Sequence, residues 1–214
     1  MRFPKTPKFV PWLFPKRIWA FSSSKNTVYL TFDDGPIPEV TPWVLEQLNR
    51  HQAKATFFCI GENITKHPNL FQKIIKEGHA YGNHTYNHLK GTQTSTEIYL
   101  SNVKAFEEAI QKFDLPKNKH SLLFRPPYGK LTQRQAKLLQ KNNYKLVMWE
   151  VLSYDWDAAI SSDQCLEYIL KNIQPGSIVV FHDSLKAEKN LKNILPKVLE
   201  FITEKGWEMA CIPS

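Results

Sequence analysis

Short apolar runs alternate with longer amphipathic segments along most of the chain, starting at Thr27. Seven of these runs have the length and residue types of β-strands, and they lie at residues 28–32, 55–60, 79–83, 122–124, 145–152, 177–181 and 207–212. Between the runs, apolar residues recur with helical spacing, as at Val44, Leu45 and Leu48. This alternation predicts an α/β fold with a mostly parallel sheet, either closed as a barrel or open and doubly wound.

Hydroxyl residues mark where three of the predicted helices begin. Thr96, Thr132 and Ser162 each stand at the start of an amphipathic segment, where a hydroxyl oxygen can accept a hydrogen bond from a free backbone N–H. A polar stretch at residues 113–121 predicts a loop. Neither a repeat nor a linker divides the chain, so we expect one domain at residues 27–214 behind a leader at residues 1–26.

The charge of the chain is concentrated in this leader. The 214 residues carry a formal net charge of +8, and the first 32 hold six basic groups and no acidic one. The other 182 residues carry 22 basic and 20 acidic groups, a net charge of only +2. A pI of about 9.3 by itself suggests a nucleic-acid partner. Because the body is nearly neutral, we expect no nucleic acid to bind.

The leader differs from an export signal. Its apolar run at residues 9–15 is broken by Pro11 and followed by Lys16 and Arg17, without a small-residue cleavage site after an unbroken apolar region. No stretch of the chain approaches the roughly 20 apolar residues that span a bilayer. We therefore expect a cytoplasmic protein.

The aromatic residues of the leader allow two interpretations. In the first, Trp12, Phe14, Trp19 and Phe21 pack on the barrel as a plug or flank while the lysines face water. In the second, residues 1–24 contact an anionic membrane or another anionic surface peripherally.

Reactive side chains follow five of the predicted strands, namely Asp33 and Asp34, His84, Arg125, Asp155 and His182. The carboxyl ends of parallel strands meet at one face of a barrel or at one edge of an open sheet. We therefore expect these side chains to converge on one site. Taken singly, they also have structural interpretations: residues 33–36 as a turn, and Asp183 or Ser184 as the cap of the last helix.

Asp34, His84 and His88 form a candidate metal site. His84 and His88 are four residues apart, which can aim both imidazoles at one point. Two neutral nitrogen ligands and one carboxylate, with an open position, are typical of a catalytic zinc site. The same ligand set also occurs in non-haem iron oxygenases.

The neighbouring residues suggest proton transfer. Asp33 stays free to take a proton, and Arg125 can hold it ionised because a guanidinium is charged at every relevant pH. Asp155 can orient a histidine, and the indole of Trp156 can form a wall against a sugar face.

Five motifs in order give the chain a family resemblance: TFDDGP (31–36), HTYNH (84–88), RPPYG (125–129), SYDW (153–156) and VFH (180–182). They resemble the motifs of the polysaccharide deacetylase family, the NodB homology domain of carbohydrate esterase family 4. The resemblance implies a distorted (β/α) barrel, here with about seven parallel strands. It also implies a divalent metal, usually zinc, and hydrolytic removal of acetyl groups from an N-acetylated glycan.

The resemblance assigns a role to each matching residue. Asp33 corresponds to the catalytic base and His182 to the catalytic acid, with Arg125 and Asp155 as their respective partners. The metal ligands would be Asp34, His84 and His88.

Three further residues correspond to substrate contacts. Tyr128 would offer its backbone N–H to the oxyanion, while Trp156 and Val180 would border the acetyl pocket. The chain departs from the family pattern at Val180, which is usually leucine, and at Leu152, which is usually aspartate. Leu152 is the one hint of an alternative, a sugar-binding member of the family with impaired catalysis.

Overall fold

The computed structural model describes residues 2–115 and 122–213, so most of the loop expected at residues 113–121 lies outside the described part. The apolar runs form one parallel sheet. Its strands are β1 (Thr27–Asp33), β2 (Thr56–Cys59), β3 (Ala80–Asn83), β4 (Leu122–Phe124), β5 (Tyr144–Leu146), β6 (Val151–Leu152), β7 (Ile178–His182) and β8 (Glu208–Met209). Seven strands follow the order β5-β4-β3-β2-β1-β7-β6, and the short β8 pairs with the start of β1. The predicted distorted (β/α) barrel of about seven parallel strands is confirmed.

Except for the first helix, which lies in the leader, the described helices connect the strands and cover the sheet. They are α1 (Phe9–Leu13), α2 (Thr41–Arg50), α3 (Gly61–Lys66), α4 (Pro68–Lys76), α5 (Thr96–Ile110), α6 (Gln133–Lys141), α7 (Ser162–Leu170) and α8 (Glu188–Glu204). Single 3₁₀ turns lie at Gly91–Gln93 and Pro127–Gly129. Among the described residues, no helix combines the length and the apolar character needed to cross a membrane.

The helix starts follow the predicted hydroxyl signals closely. Thr132 caps α6, and its side chain exchanges hydrogen bonds with Gln135 in a capping box. For α5 and α7 the cap lies one residue earlier than predicted, at Ser95 and Ser161. In both segments the predicted residue is preceded by a serine, and that serine supplies the oxygen that accepts the backbone hydrogen bond.

One predicted strand was wrong in its extent. The run at residues 145–152 forms two short strands, β5 and β6, which are the two edges of the curled sheet. The four residues between them cross the gap between these edges, where the Val147 N–H still donates to the Phe124 carbonyl oxygen (2.8 Å). The whole run is therefore rich in apolar residues, although its start pairs with β4 and its end pairs with β7.

The leader lies along this gap. The Leu152 N–H donates to the Pro4 carbonyl oxygen (2.9 Å), and the Met148 N–H donates to the Ile18 carbonyl oxygen (2.7 Å). Ile18 and Phe21 pack against a buried apolar cluster that includes Phe58 and other barrel residues. The first and last parts of the leader thus contact both edges of the sheet.

The centre of the sheet is held by stacked aromatic rings. Phe32 of β1 stacks on Phe57 of β2 and on Phe181 of β7, with ring centroids 5.1 and 5.6 Å apart. All three side chains are buried. This packing fixes the neighbouring β1 residue, Asp33, beside His182 in the strand register.

Candidate active site at the carboxyl ends of the strands

Asp33 ends β1 and forms a buried ion pair with Arg125. The Arg125 guanidinium donates from Nη1 to Asp33 Oδ1 (2.6 Å) and to Thr31 Oγ1 (2.7 Å). Its Nη2 donates to the Met148 carbonyl oxygen (2.9 Å), and its carbon lies 4.1 Å above the Phe58 ring. Arg125 is fully buried, so these contacts compensate for the loss of water around its charge. They also fix the orientation of the Asp33 carboxylate.

The predicted metal ligands come together beside Asp33. Asp34 Oδ1 lies 3.2 Å from His88 Nε2 and 3.7 Å from His84 Nε2. One ligand atom from each of the three residues lies within 4.8 Å of the others. The Nδ1 of His84 is 2.7 Å from the Arg125 carbonyl oxygen, which leaves its Nε2 directed at the cluster. Two imidazole nitrogens and one carboxylate oxygen therefore face a common point.

The charges of this cluster suit a metal site. Burial opposes ionisation of Asp34, but the hydrogen bond from His88 and the neighbouring imidazoles hold the pKa of Asp34 below its usual range. Burial lowers the pKa of His84 to about 4. At neutral pH the site thus offers an ionised carboxylate and a neutral imidazole with a free lone pair.

His182 ends β7 and is held by Asp155. The two carboxylate oxygens of Asp155 accept separately: Oδ1 lies 2.8 Å from His182 Nδ1, and Oδ2 accepts from the His182 backbone N–H at 2.8 Å. Burial disfavours the protonated imidazole, but the charge and hydrogen bond of Asp155, together with the charges of Asp34 and Asp33, outweigh burial and raise the pKa of His182 to about 9. This pKa leaves His182 protonated at neutral pH, and its Nε2 has no hydrogen-bond acceptor among the described residues.

An apolar pocket of about 460 Å³ opens between these groups. Asp33, Asp34, His84, His88 and His182 lie on its floor and wall, and its apolar lining includes Tyr128, Trp149, Leu152, Trp156 and Val180. The Trp156 ring packs beside His182 and the Tyr128 ring beside His88, with centroids 4.6 and 4.7 Å apart. Leu152 thus contributes an apolar wall where the family pattern has a carboxylate.

Unusual backbone conformations concentrate at this pocket. Seven described residues other than glycine have a positive φ, and five of them belong to the site loops, namely Asp34, Thr85, His88, Tyr128 and Tyr154. Such a conformation costs free energy at a residue with a side chain and persists only where the surroundings hold it. The loops that carry the site are therefore held in conformations that they would not adopt alone.

Asp183 was missed as a site residue, because the sequence suggests a helix cap there. α8 begins only at Glu188, and Asp183 instead accepts hydrogen bonds from the Gly35 N–H (3.0 Å) and the Thr41 hydroxyl (2.6 Å). A Cβ built on Gly35 would lie 1.9 Å from Asp183 Oδ2, so only glycine fits this turn. Asp183 thereby fixes the turn that follows Asp33 and Asp34.

The structure brings all the candidate site residues predicted from the sequence to this one pocket. Asp33, Asp34, His84, His88 and His182 face the pocket together with Tyr128, Trp156 and Val180. Arg125 and Asp155 lie buried behind Asp33 and His182.

Comparison with known proteins gives a consistent picture. The sequence model of the polysaccharide deacetylase family matches residues 22–147. The chain is 35% identical over 204 residues to a peptidoglycan-N-acetylglucosamine deacetylase of Bacillus cereus, a match that covers 93% of this chain and 72% of that protein. It is 35% identical over 179 residues to a chitooligosaccharide deacetylase of a Bradyrhizobium species, with 82% of this chain and 79% of that protein covered.

A solved structure agrees with the observed fold. The crystal structure of a peptidoglycan N-acetylglucosamine deacetylase in complex with an N-oxidanyl-benzamide superposes with a TM-score of 0.85 at 33% sequence identity. The match covers 94% of both chains.

Proposed function

Because the chain belongs to the polysaccharide deacetylase family, we propose that it removes N-acetyl groups from the amino sugars of a glycan by metal-assisted hydrolysis and releases acetate. The enzyme is a carbohydrate N-deacetylase, a hydrolase of linear amide C–N bonds. One observation supports the mechanism most strongly. Asp33 and His182 flank the Asp34–His84–His88 cluster, and each is paired with its own buried partner, Arg125 or Asp155.

The three clustered residues fit a divalent metal, and their ligand types are those of a zinc site. They supply two nitrogens and one oxygen, and the pocket leaves room for a water and a substrate oxygen beside them. A metal held there would lower the pKa of a bound water and polarise the acetyl carbonyl group.

Asp33 acts as the general base in this proposal. Its Oδ1 is engaged by Arg125, which leaves the other carboxylate oxygen to take a proton from the attacking water. The ion pair with Arg125 also fixes the orientation of the Asp33 carboxylate. The new C–O bond turns the acetyl carbonyl oxygen into an oxyanion, toward which Tyr128 would direct its backbone N–H.

His182 acts as the general acid. An amine leaves an amide carbon poorly unless it is protonated, and His182 carries a proton at neutral pH because Asp155 stabilises the imidazolium. Transfer of that proton to the sugar nitrogen accompanies cleavage of the C–N bond. The products are acetate and a free amino sugar, so atoms and charge balance with the water consumed.

The apolar lining of the pocket suits the methyl part of an acetyl group. Trp156 and Val180 border the space next to His182, and Leu152 closes it with a further apolar wall. An acetyl methyl group would lie against these side chains, where it loses contact with water.

Two variants separate metal binding from proton transfer. We expect His182→Ala to keep the metal and to lose about 10²-fold to 10⁴-fold in rate, since it removes a proton donor and no ligand. We expect His88→Ala to lose metal and activity together. Elemental analysis of both purified variants, with acetate release measured in parallel, tests this, and a fully active His182→Ala protein with bound metal would overturn the assignment.

The relatives suggest which glycans to test as substrates. Relatives are named for peptidoglycan and for chitooligosaccharides, and both are N-acetylated glycans. We propose substrates of this class and expect acetate release from a panel of N-acetylglucosamine oligomers and peptidoglycan fragments to rank them.

Two alternative functions would give different experimental results. A non-haem iron oxygenase would consume oxygen with a 2-oxo acid, and it has no use for the paired Asp33 and His182. A sugar-binding member without catalysis would bind glycans but release no acetate; the intact Asp33–Arg125 and His182–Asp155 pairs oppose that alternative.

A further inference from the structure

A second cavity of about 640 Å³ adjoins the catalytic pocket, and Lys186 lines both. It lies between the start of α7 and one face of α8. Lys189, Asn193 and Lys197 line this face at intervals of four residues, which places them in a row along the helix. We call this cavity with its three lysines, at 186, 189 and 197, the lysine groove.

The charges of the lysine groove are not neutralised within the described part of the chain. None of its three lysines forms an ion pair with a described acidic residue, and all three side chains are exposed. One acidic residue, Asp163, also lines the cavity. Nearby Asp157 interacts electrostatically with Lys186, but it forms its ion pair with Arg2 (2.8 Å). By contrast, Lys192 of the same helix is paired with Glu188 at 2.6 Å.

We propose that the lysine groove binds carboxylate groups carried by the glycan strand whose amino sugar occupies the catalytic pocket. This inference rests on the deacetylase function proposed above and names its substrate class, an anionic glycan of the peptidoglycan type. A neutral chitin-like strand carries no charged group that would pair with the three lysines of the groove, of which Lys186 also lines the catalytic pocket. The groove would thus align the strand and favour charged over neutral substrates.

The test compares one charged and one neutral substrate. The double variant Lys189→Gln/Lys197→Gln is assayed for acetate release from oligomers of alternating N-acetylglucosamine and N-acetylmuramic acid, and from chitotetraose. We expect kcat/KM to fall about tenfold on the first, about threefold for each exposed charge pair, and to stay unchanged on the second. The matched control is Lys192→Gln, which should change neither value.

Each outcome decides the proposal. An equal loss on both substrates, or a preference for the charged oligomer that survives in the double variant, would overturn it. If the wild-type enzyme deacetylates neither oligomer, the proposed function fails instead. Calorimetric titration of the same two oligomers then still tests the groove, because weaker binding of only the charged oligomer by the double variant is the expected result, and equal binding contradicts it.

A separate observation concerns the part of the leader that does not pack on the barrel. Residues 7–17, here called the leader loop, include α1, which buries none of its residues. Trp12 is 79% exposed, Phe9 61% and Leu13 54%. Lys8 and Lys16 are exposed beside them, and no acidic residue occurs before Asp33. Exposed large apolar side chains with lysines beside them are typical of segments that bind the interface of an anionic bilayer.

The leader loop lies on the face opposite to the catalytic pocket. The leader starts beside the site, where Arg2 pairs with Asp157, and then runs antiparallel to β6. Beyond it, Lys5 Nζ contacts the carbonyl oxygen that follows α7, and the Lys16 carbonyl oxygen accepts from Gln140 in the last turn of α6. Helices that return between parallel strands end at the amino ends of the strands.

We therefore propose that the leader loop docks on an anionic lipid surface and points the catalytic pocket away from it. The full-length protein is sedimented with vesicles of phosphatidylcholine, with and without phosphatidylglycerol. We expect binding only to the anionic vesicles and a loss of at least tenfold in Trp12→Ser/Leu13→Ser. The matched control is Ile98→Ser, which alters an apolar residue on α5 that is 60% exposed, between the values for Leu13 and Trp12.

Three results would overturn this second proposal: no vesicle binding by the wild-type protein, equal binding to neutral vesicles, or unchanged binding by the double variant. The two altered side chains are exposed, so an unchanged melting temperature should accompany the loss of binding.

Discussion

The pairing of Asp155 with His182 predicts a specific change in the pH profile of the enzyme. A pKa of about 9 instead of 6.5 corresponds to about 3 kcal/mol of preferential interaction with the protonated imidazole. The raised value stabilises the folded state fully below about pH 6.5, and that contribution is lost as pH rises through about 9. Since the proposed general acid His182 must be protonated to donate, activity should fall over the same alkaline range.

The substitution Asp155→Asn removes the largest of the charges that raise this pKa, to which Asp34 and Asp33 contribute less. It also replaces one of the two accepting oxygens by an amide nitrogen, so one of the two hydrogen bonds to His182 is lost. If the pKa of His182 returns to its ordinary value, about one-thirtieth of the enzyme carries the proton at pH 8, compared with about nine-tenths in the wild type. We therefore expect an additional loss of about 30-fold in kcat at pH 8 and of less than about twofold at pH 6.

The assay is acetate release at saturating substrate from pH 5.5 to 10, on metal-loaded protein. Because wild type and variant share the same metal, the difference between their alkaline limbs reports the Asp155 charge. Asp157→Asn is the matched control: it removes a carboxylate two residues away that pairs with Arg2, and should leave the limb in place. An Asp155→Asn enzyme whose alkaline limb coincides with that of the wild type would refute the reasoning.

Three further changes test the architecture of the site. Arg125→Met leaves the Asp33 carboxylate buried without its partner, so we expect urea titration to show a loss of about 3–5 kcal/mol in unfolding free energy; a loss below about 1 kcal/mol would contradict the burial argument. Gly35→Ala places a methyl group against Asp183, and calorimetry should show about 1–3 kcal/mol of destabilisation together with lower acetate release. Dialysis against a chelator should abolish activity and lower the melting temperature, and zinc should restore both, because a ligand of the folded state stabilises it.

The location of the candidate site could be predicted from the sequence because a parallel sheet brings the carboxyl ends of its strands to one face. Asp33, His84, Arg125, Asp155 and His182 each follow an apolar run, and parallel strands bring such positions to one face whatever the exact register. The prediction therefore did not need the strand order. The error in the extent of the strand predicted at residues 145–152 did not affect it, since Asp155 still follows β6.

Other features depend on long-range packing and could not be predicted from local pattern. Asp183 has the residue type and position of a helix cap, and only its contact with Gly35, 148 residues away, shows that it holds a turn. The leader has an ordinary basic and aromatic composition. The contrast between partly buried Ile18 and exposed Trp12 depends on which parts of the leader contact the gap between β5 and β6. Local propensity carries no information about such contacts.

The central claim is that this protein hydrolyses the acetamide of an amino sugar. The most direct measurement is simultaneous quantification of acetate and of free amine when the zinc-loaded protein is incubated with the panel of N-acetylglucosamine oligomers and peptidoglycan fragments. We expect the two products in a one-to-one ratio on at least one member of the panel, and neither product with Asp33→Asn. Binding without acetate release across the whole panel, or acetate release that Asp33→Asn leaves unchanged, would contradict the account.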